Sequence, residues 1–216
     1  RQWGVYFPRG GTHAIVTALV KLFEELGGEI RLDTPVQQAK VSSNSSGNQH
    51  IITDNNGVEQ TYDVVVSNAD IHHTYQHIYA DHPEAVKRTK KLEKMDWSMS
   101  LFVLHFGTDI EYKDVAHHTI LFGPRYKELL NEIFKGKNLP EDFSLYLHVP
   151  TVTDPQLAPE GCSAGYVLAP VPHLGRADVD WETIAEDYAH KIIKALEVEL
   201  PDLSKHIVTR RHFTPK

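Results

Sequence analysis

Between residues 14 and 26 the string "AIVTALVKLFEEL" puts Ile15, Leu19, Leu22 and Leu26 on one helical face, and Val16, Val20 and Phe23 widen it. An apolar surface that broad predicts a helix packed on more than one side. A strand is predicted before it over residues 4–7, and the glycine pairs at 10–11 and 27–28 bound the helix. "EIRL" and "VQQAKV" read as strands, and the polar run "SSNSSGNQ" reads as a hairpin loop because strand-like "HIITD" follows directly. After the turn at Asn55, Asn56 and Gly57 comes "QTYDVVVSNAD", in which the continuous branched run Val64, Val65, Val66 predicts a central strand buried on both faces. In open α/β sheets ligands sit at the carboxyl end of such a strand, here at Ser67, Asn68, Ala69 and Asp70.

Helical patterns follow over residues 71–79 and 83–94, and the character of the chain then changes. "SLFVLHFG", "HHTILFG", "SLYLHVP", "AGYVLAPV" and "HIVTRRHF" alternate as strands, with helices over about 125–134 and 181–200. The whole reads as an α/β piece over residues 1–94, followed over residues 95–216 by a second domain, an antiparallel sheet backed by helices.

Composition narrows the function classes. The 216 residues are 41% hydrophobic, enough for a sizeable core, and 22 basic against 29 acidic side chains leave a net charge of −7. That balance argues against a surface built to grip nucleic acid. One cysteine, Cys162, excludes an intramolecular disulfide; with no hydrophobic leader visible, a cytoplasmic location is expected. No apolar run approaches the roughly 20 residues of a spanning helix, so any membrane association is expected to be peripheral.

Each chemical candidate carries a plain structural alternative. Gly10 and Gly11, between strand and helix, offer backbone amides to an anion or a flat ligand, or simply supply the positive φ of a tight turn. Arg9 beside them meets a carboxylate or a π surface, or is solvated. Asp70 is an acid/base candidate at the mouth of a cleft or the N-cap of the helix that starts at Ile71; Asn68 meets a ligand edge or closes the turn. Fourteen histidines include the pair His73 and His77 and the neighbours His117 and His118, but HExxH and zinc-like Cys/His spacing are absent, so no metal site is expected. Neither GxGxxG nor a P-loop occurs. The cations at 87, 88, 90, 91 and 94 form a solvated face or rest on anionic lipid. In "YKELLNEIF", Tyr126, Leu129, Leu130, Ile133 and Phe134 have the spacing of a core-packed helix and equally of one lying in a membrane interface.

The strings "WGVYFPRGGT", "SNAD", "AHHTILFGPRY", "EDFSLYLHVP", "TDPQLAPEGC" and "YVLAPVPHLG" together resemble bacterial-type phytoene desaturases, carotenoid desaturases of the flavin amine-oxidase superfamily, and the resemblance runs from Trp3 to Pro215. It implies FAD-dependent conversion of phytoene to lycopene or its partly desaturated precursors, a carotenoid substrate, and a membrane surface as partner. It also implies that residues 1–94 complete an FAD-binding, Rossmann-like domain whose dinucleotide turn lies outside this stretch, and that 95–216 form most of the substrate domain. By the same resemblance Val36, Asn68 and Ala69 lie near FAD, and Arg9, Gly10 and Gly11 lie near the cofactor and the substrate; the resemblance assigns no catalytic residue, and Asp70 is the catalytic candidate from its position alone. A non-redox isoprenoid-binding module of the superfamily, or a desaturase or isomerase of another carotenoid, is the alternative.

Overall fold

Strict alternation of side chains is what sets the larger sheet. In Ser163–Val171 every odd-numbered residue is buried and every even-numbered one half-exposed, the signature of a strand with one covered face. The computed structural model describes residues 4, 6–44 and 47–216. The chain divides into two units, one of Arg1–Leu22 with Trp97–Lys216 and one of Phe23–Asp96.

In the first unit, β4 (Ser100–Thr108), β5 (His118–Leu121), β6 (Leu145–His148), β7 (Ser163–Val171) and β8 (Ile207–Phe213) form an antiparallel sheet in the order β5-β6-β7-β4-β8. One face carries Phe102, Leu104, Phe106, Leu145, Leu147, Val167, Ala169 and Val171, all buried against helix α5 (Trp181–Leu196). α5 contributes Trp181, Ala185, Tyr188, Ala189, Ile192, Ile193 and Leu196, at the 3–4 residue spacing of one helical stripe. Phe102 anchors the join: its ring stacks on Trp181 at 5.6 Å and meets the edge of Tyr188 at 5.1 Å. The short α6 (Leu203–His206) leads into β8.

Helix α4 (Tyr126–Lys135) resolves its two sequence readings by dividing them. Leu129 and Ile133 point inward at 1% and 2% exposure, whereas Tyr126, Leu130 and Phe134 are exposed, with Phe122 beside them. Lys127, Lys135 and Lys137 are exposed around that outer stripe. Arg125 is tied down instead, its guanidinium 2.9 Å from Glu132 Oε1 and 2.5 Å from Asp142 Oδ1.

The second unit is built on a meander, β1 (Val36–Asn44), β2 (Gly47–Asp54) and β3 (Glu59–Tyr62), in sequential order. The first pairing slips at Gln37, between Val36 opposite Asp54 and Gln38 opposite Thr53, a β-bulge at the start of the sheet. A short α2 (Ile71–His73) runs into a single π-helical turn over Thr74–Ile78, and α3 (Pro83–Leu92) follows with proline at its first position. The five cations at 87, 88, 90, 91 and 94 are exposed, and Arg88 lies 5.8 Å over the Tyr75 ring.

Four sequence expectations fail. Helix α1 (Thr12–Glu25) forms, yet none of its residues is buried: Ile15, Leu19 and Leu22 are exposed along the stripe, and so is Leu26 just past the helix. The apolar stripe is present but nothing described packs on it from two sides. The Val64–Val66 run is extended without joining any described ladder, and Val64 and Val66 are 76% and 89% exposed. Branched side chains favour a strand, but a strand also needs a neighbour to hydrogen-bond, and no described strand pairs with this segment. Gly4, Tyr6 and Phe7 lie outside any strand, as does "EIRL", for the same want of a partner. The fourth difference concerns grouping: the first 22 residues go with 97–216 rather than with the stretch up to 94. A hydrogen bond from the Gly10 N–H to Asp154 Oδ2 at 2.7 Å and the Phe7 ring against His117 and His148 account for it.

Candidate functional site

Within Phe23–Asp96, a cleft of about 600 Å³ opens between the start of β1 and the segment 64–69. Its walls are mostly apolar: Val36, Ala39, Ile52, Val64, Val66 and Ile78, with Tyr62 and Tyr79. Val36, Asn68 and Ala69, which sequence reasoning assigned to one cofactor from far-apart positions, all line this single cleft. The bulge at Gln37 explains the mouth of it, because it breaks the β1 register beside Val36. Ser67 Oγ lies 3.0 Å from Thr74 Oγ1, which holds the 64–69 segment to the π turn. Tyr79 closes the far side, with its hydroxyl 3.0 Å from His50 Nδ1; partial burial raises the Tyr79 pKa. An apolar slot with a few polar edges suits a flat heteroaromatic group.

Asp70 stands outside this lining. Its carboxylate Oδ1 accepts the His73 N–H at 2.9 Å, so it caps α2. The structure therefore gives Asp70 the capping role that its position before Ile71 also predicted. Gly10 and Gly11 have φ of +83° and +79°, a conformation that L side chains resist. They turn the chain into α1, Gly11 donating its N–H to the Pro8 carbonyl at 3.1 Å, and the Gly10 amide is taken up by Asp154 rather than presented outward. Arg9 is exposed beside them. These three residues belong to the unit of the larger sheet, not to that of the cleft.

Sequence reasoning missed the face of that sheet turned away from α5. The register aligns two cross-strand rows there. One row runs Ile120, Tyr146, Leu168, Val103, Phe213; the next runs His118, His148, Tyr166, His105, Arg211. The first is apolar and aromatic from edge to edge, and at about 4.8 Å per strand gap it is roughly 19 Å wide. Period-2 alternation in β4 and β7 was the available signal, but both of their faces are apolar enough to read as core.

In the second row the histidines cluster. His117 Nε2 is 2.7 Å from His148 Nε2, His117 Nδ1 is 2.6 Å from Thr153 Oγ1, and His118 Nδ1 is 2.6 Å from the Tyr146 hydroxyl. The His118 and His148 rings stack at 4.9 Å. Burial, followed by the neighbouring His117 and His118, lowers the His148 pKa from 6.5 to about 4. Burial and then His118 lower His117 as well, and burial and then Arg211 lower His105. At neutral pH His105, His117 and His148 are therefore held in the uncharged form. The sequence showed only the neighbours His117 and His118; pairing of β5 with β6 supplies His148.

Comparison with known proteins adds identity to this geometry. Residues 2–208 match the family described as flavin containing amine oxidoreductase. The chain is 48% identical over its whole length to a phytoene desaturase (lycopene-forming) of Pantoea ananas, covering 43% of that protein, and 50% identical to one of a Paracoccus species, covering 42%. Among solved structures, an oxidoreductase from Methanosarcina mazei superposes on 95% of the chain and 43% of its own, with a TM-score of 0.62 at 14% identity, a likeness of fold.

Proposed function

The chain belongs to the flavin-containing amine oxidoreductases, and from that premise we propose that it serves in FAD-dependent desaturation of a C40 carotenoid precursor, phytoene, to lycopene. The observation that carries this reading is 48–50% identity over all 216 residues to lycopene-forming phytoene desaturases. The chain spans 42–43% of the length of those relatives, so the activity is proposed for the whole protein of which such a segment is part.

The residues present fit one portion of FAD. The cleft at Val36, Asn68 and Ala69 accommodates a flat heteroaromatic moiety between apolar walls, whereas no GxGxxG turn for a pyrophosphate is among these residues. When bound, the flavin supplies the redox chemistry, taking up a hydride equivalent from a saturated carbon. The chain's part is to align an apolar molecule and keep water from it. The row Ile120, Tyr146, Leu168, Val103, Phe213 supplies a floor for an extended polyene, with Leu101 and Pro170 continuing it further along β4 and β7. No carboxylate lies in these rows, consistent with a delocalised allylic cation whose adjacent C–H proton passes to a weak base as the double bond forms. The exposed stripe of α1 and the open Val64–Val66 segment are seats for the rest of the flavoenzyme.

A substrate that partitions into bilayers calls for peripheral membrane docking, on the cytoplasmic side. The outward stripe Phe122, Tyr126, Leu130 and Phe134 with the exposed Lys127, Lys135 and Lys137 is suited to lie in a lipid interface, and the basic α3 is a second contact. Liposome flotation of the double variant Leu130→Asp, Phe134→Asp is expected to lose binding to anionic vesicles; undiminished flotation rejects this docking face.

The catalytic reading is tested by supplying phytoene in liposomes to the full-length protein and separating products by chromatography. Lycopene together with an oxidised-flavin absorption spectrum is the expected result. A flavin spectrum with no product from phytoene would favour a desaturase or isomerase of another carotenoid, and neither flavin nor product would favour the non-redox isoprenoid-binding alternative.

A further inference from the structure

We infer that His117, His118 and His148 form a binding site for a divalent first-row transition-metal ion of the zinc type, with three imidazole ligands and a fourth position open to solvent. One ligand nitrogen from each residue can be chosen so that all three lie within 4.8 Å of one another. Their placement follows from the sheet: His118 opens β5 directly opposite His148 at the end of β6, and the Val149 N–H donates to the His117 carbonyl at 3.0 Å, which carries His117 alongside.

The rings are held as metal-binding histidines are held. His117 is engaged at Nδ1 by Thr153 Oγ1 and His118 at Nδ1 by the Tyr146 hydroxyl, each at 2.6 Å, so that Nε2 is the nitrogen each offers to an ion, that of His117 exchanging its hydrogen bond with His148 Nε2 for the metal. Outer partners of this kind set the tautomer and aim the lone pair. His148, the third ring, is 7% exposed and fixed by its surroundings rather than by an outer partner, since its Nδ1 is buried without a hydrogen bond and its Nε2 is the nitrogen turned to His117.

The donor set decides the class of ion. Three neutral nitrogens with no carboxylate suit Zn²⁺, Co²⁺, Ni²⁺ or Cu²⁺ and not the oxygen-seeking Mg²⁺ or Ca²⁺. His117 Nε2 and His148 Nε2 are 2.7 Å apart. Two ligands about 2.05 Å from a tetrahedral Zn²⁺ stand roughly 3.3 Å apart, so those rings open by roughly half an ångström on loading. His118 is exposed, which leaves the solvent side free for a fourth ligand. The inference stands apart from the polyene reading, and loss of phytoene turnover leaves it intact.

The test is titration of the metal-depleted chain with Co²⁺, followed by its visible ligand-field bands, and with Zn²⁺ by calorimetry. One equivalent is expected, with tetrahedral Co²⁺ bands. His118→Ala, at an exposed position that does not disturb the core, is expected to weaken binding at least tenfold, and Tyr146→Phe, which keeps the ring and removes only the hydroxyl, by about 10- to 100-fold. His77→Ala, in the other unit, is expected to leave binding unchanged. Absence of stoichiometric binding to the parent chain, or full binding in both His118→Ala and Tyr146→Phe, overturns the site.

Discussion

The two units make the same use of β-strands and reach opposite results in burial. The sheet of β4 to β8 buries a continuous cluster from Phe102 through Leu203 beneath α5, whereas among the described residues of Phe23–Asp96 those buried are Ala39, Ala85 and Thr74, two of them alanines. Apolar side chains are not lacking in the second unit: Val36, Val58, Val64, Val66, Ile71 and Val86 are all exposed. What differs is a covering layer. A sheet with a sixteen-residue helix across it closes a core, and a three-stranded meander with short helices leaves its apolar groups lining a cleft. The difference separates a self-supporting core from a region whose apolar groups stay accessible.

The largest effect that sharpens this contrast is expected from Phe102→Ala. Its ring is fully buried between Trp181 and Tyr188, and truncation should cost about 3–5 kcal/mol in urea denaturation; a loss below about 1 kcal/mol would show that the cluster is not a packed core. Next comes Asp154→Ala, which leaves the Gly10 N–H without its 2.7 Å partner and should cost about 1–3 kcal/mol, read as faster hydrogen exchange at the 8–14 turn. Exchange unchanged at that turn would mean the first residues are held by something else.

A smaller, pH-dependent effect is expected at Glu197. Hydrogen bonds from Lys194 and from Ser204 Oγ at 2.5 Å lower its pKa from 4.5 to about 2. A lowered carboxylate pKa means that the folded state holds fewer protons than the unfolded one, so this contribution is complete above about pH 4.5 and is lost as pH falls toward 2. Glu197→Gln should flatten the acid limb of the stability curve between those values; an unaltered limb denies the coupling. Smallest of all is Val66→Ala: at 89% exposure it should move stability by no more than about 0.5 kcal/mol, and a larger loss would reveal packing on a segment that is open here.

Particular residues show how far the sequence could be read. The strands at 100–108, 163–171 and 207–213 and the helices α3, α4 and α5 were legible because each carries its own periodicity. Val36, Asn68 and Ala69 were assigned together through resemblance, and the fold brings them to one cleft; periodicity alone offered no link between residues so far apart. Val64–Val66 misled because β propensity reports a preference that only a neighbouring strand can satisfy. The histidine trio was invisible for a related reason: His148 is separated from His117 by 31 residues, and no short spacing rule joins them.

The sequence by itself determined the local matters: which stretches twist into helix or alternate as strand, where glycine must turn the chain at 10–11, and the kinship with flavin-dependent oxidoreductases. Only the tertiary structure decided that Gly10 gives its amide to Asp154 and that two rows of side chains share the face of one sheet turned away from α5. The physical reason is one of range. Propensity and periodicity act over a few residues, whereas strand register and hydrogen-bond partnership are set by whichever distant segment comes to lie alongside.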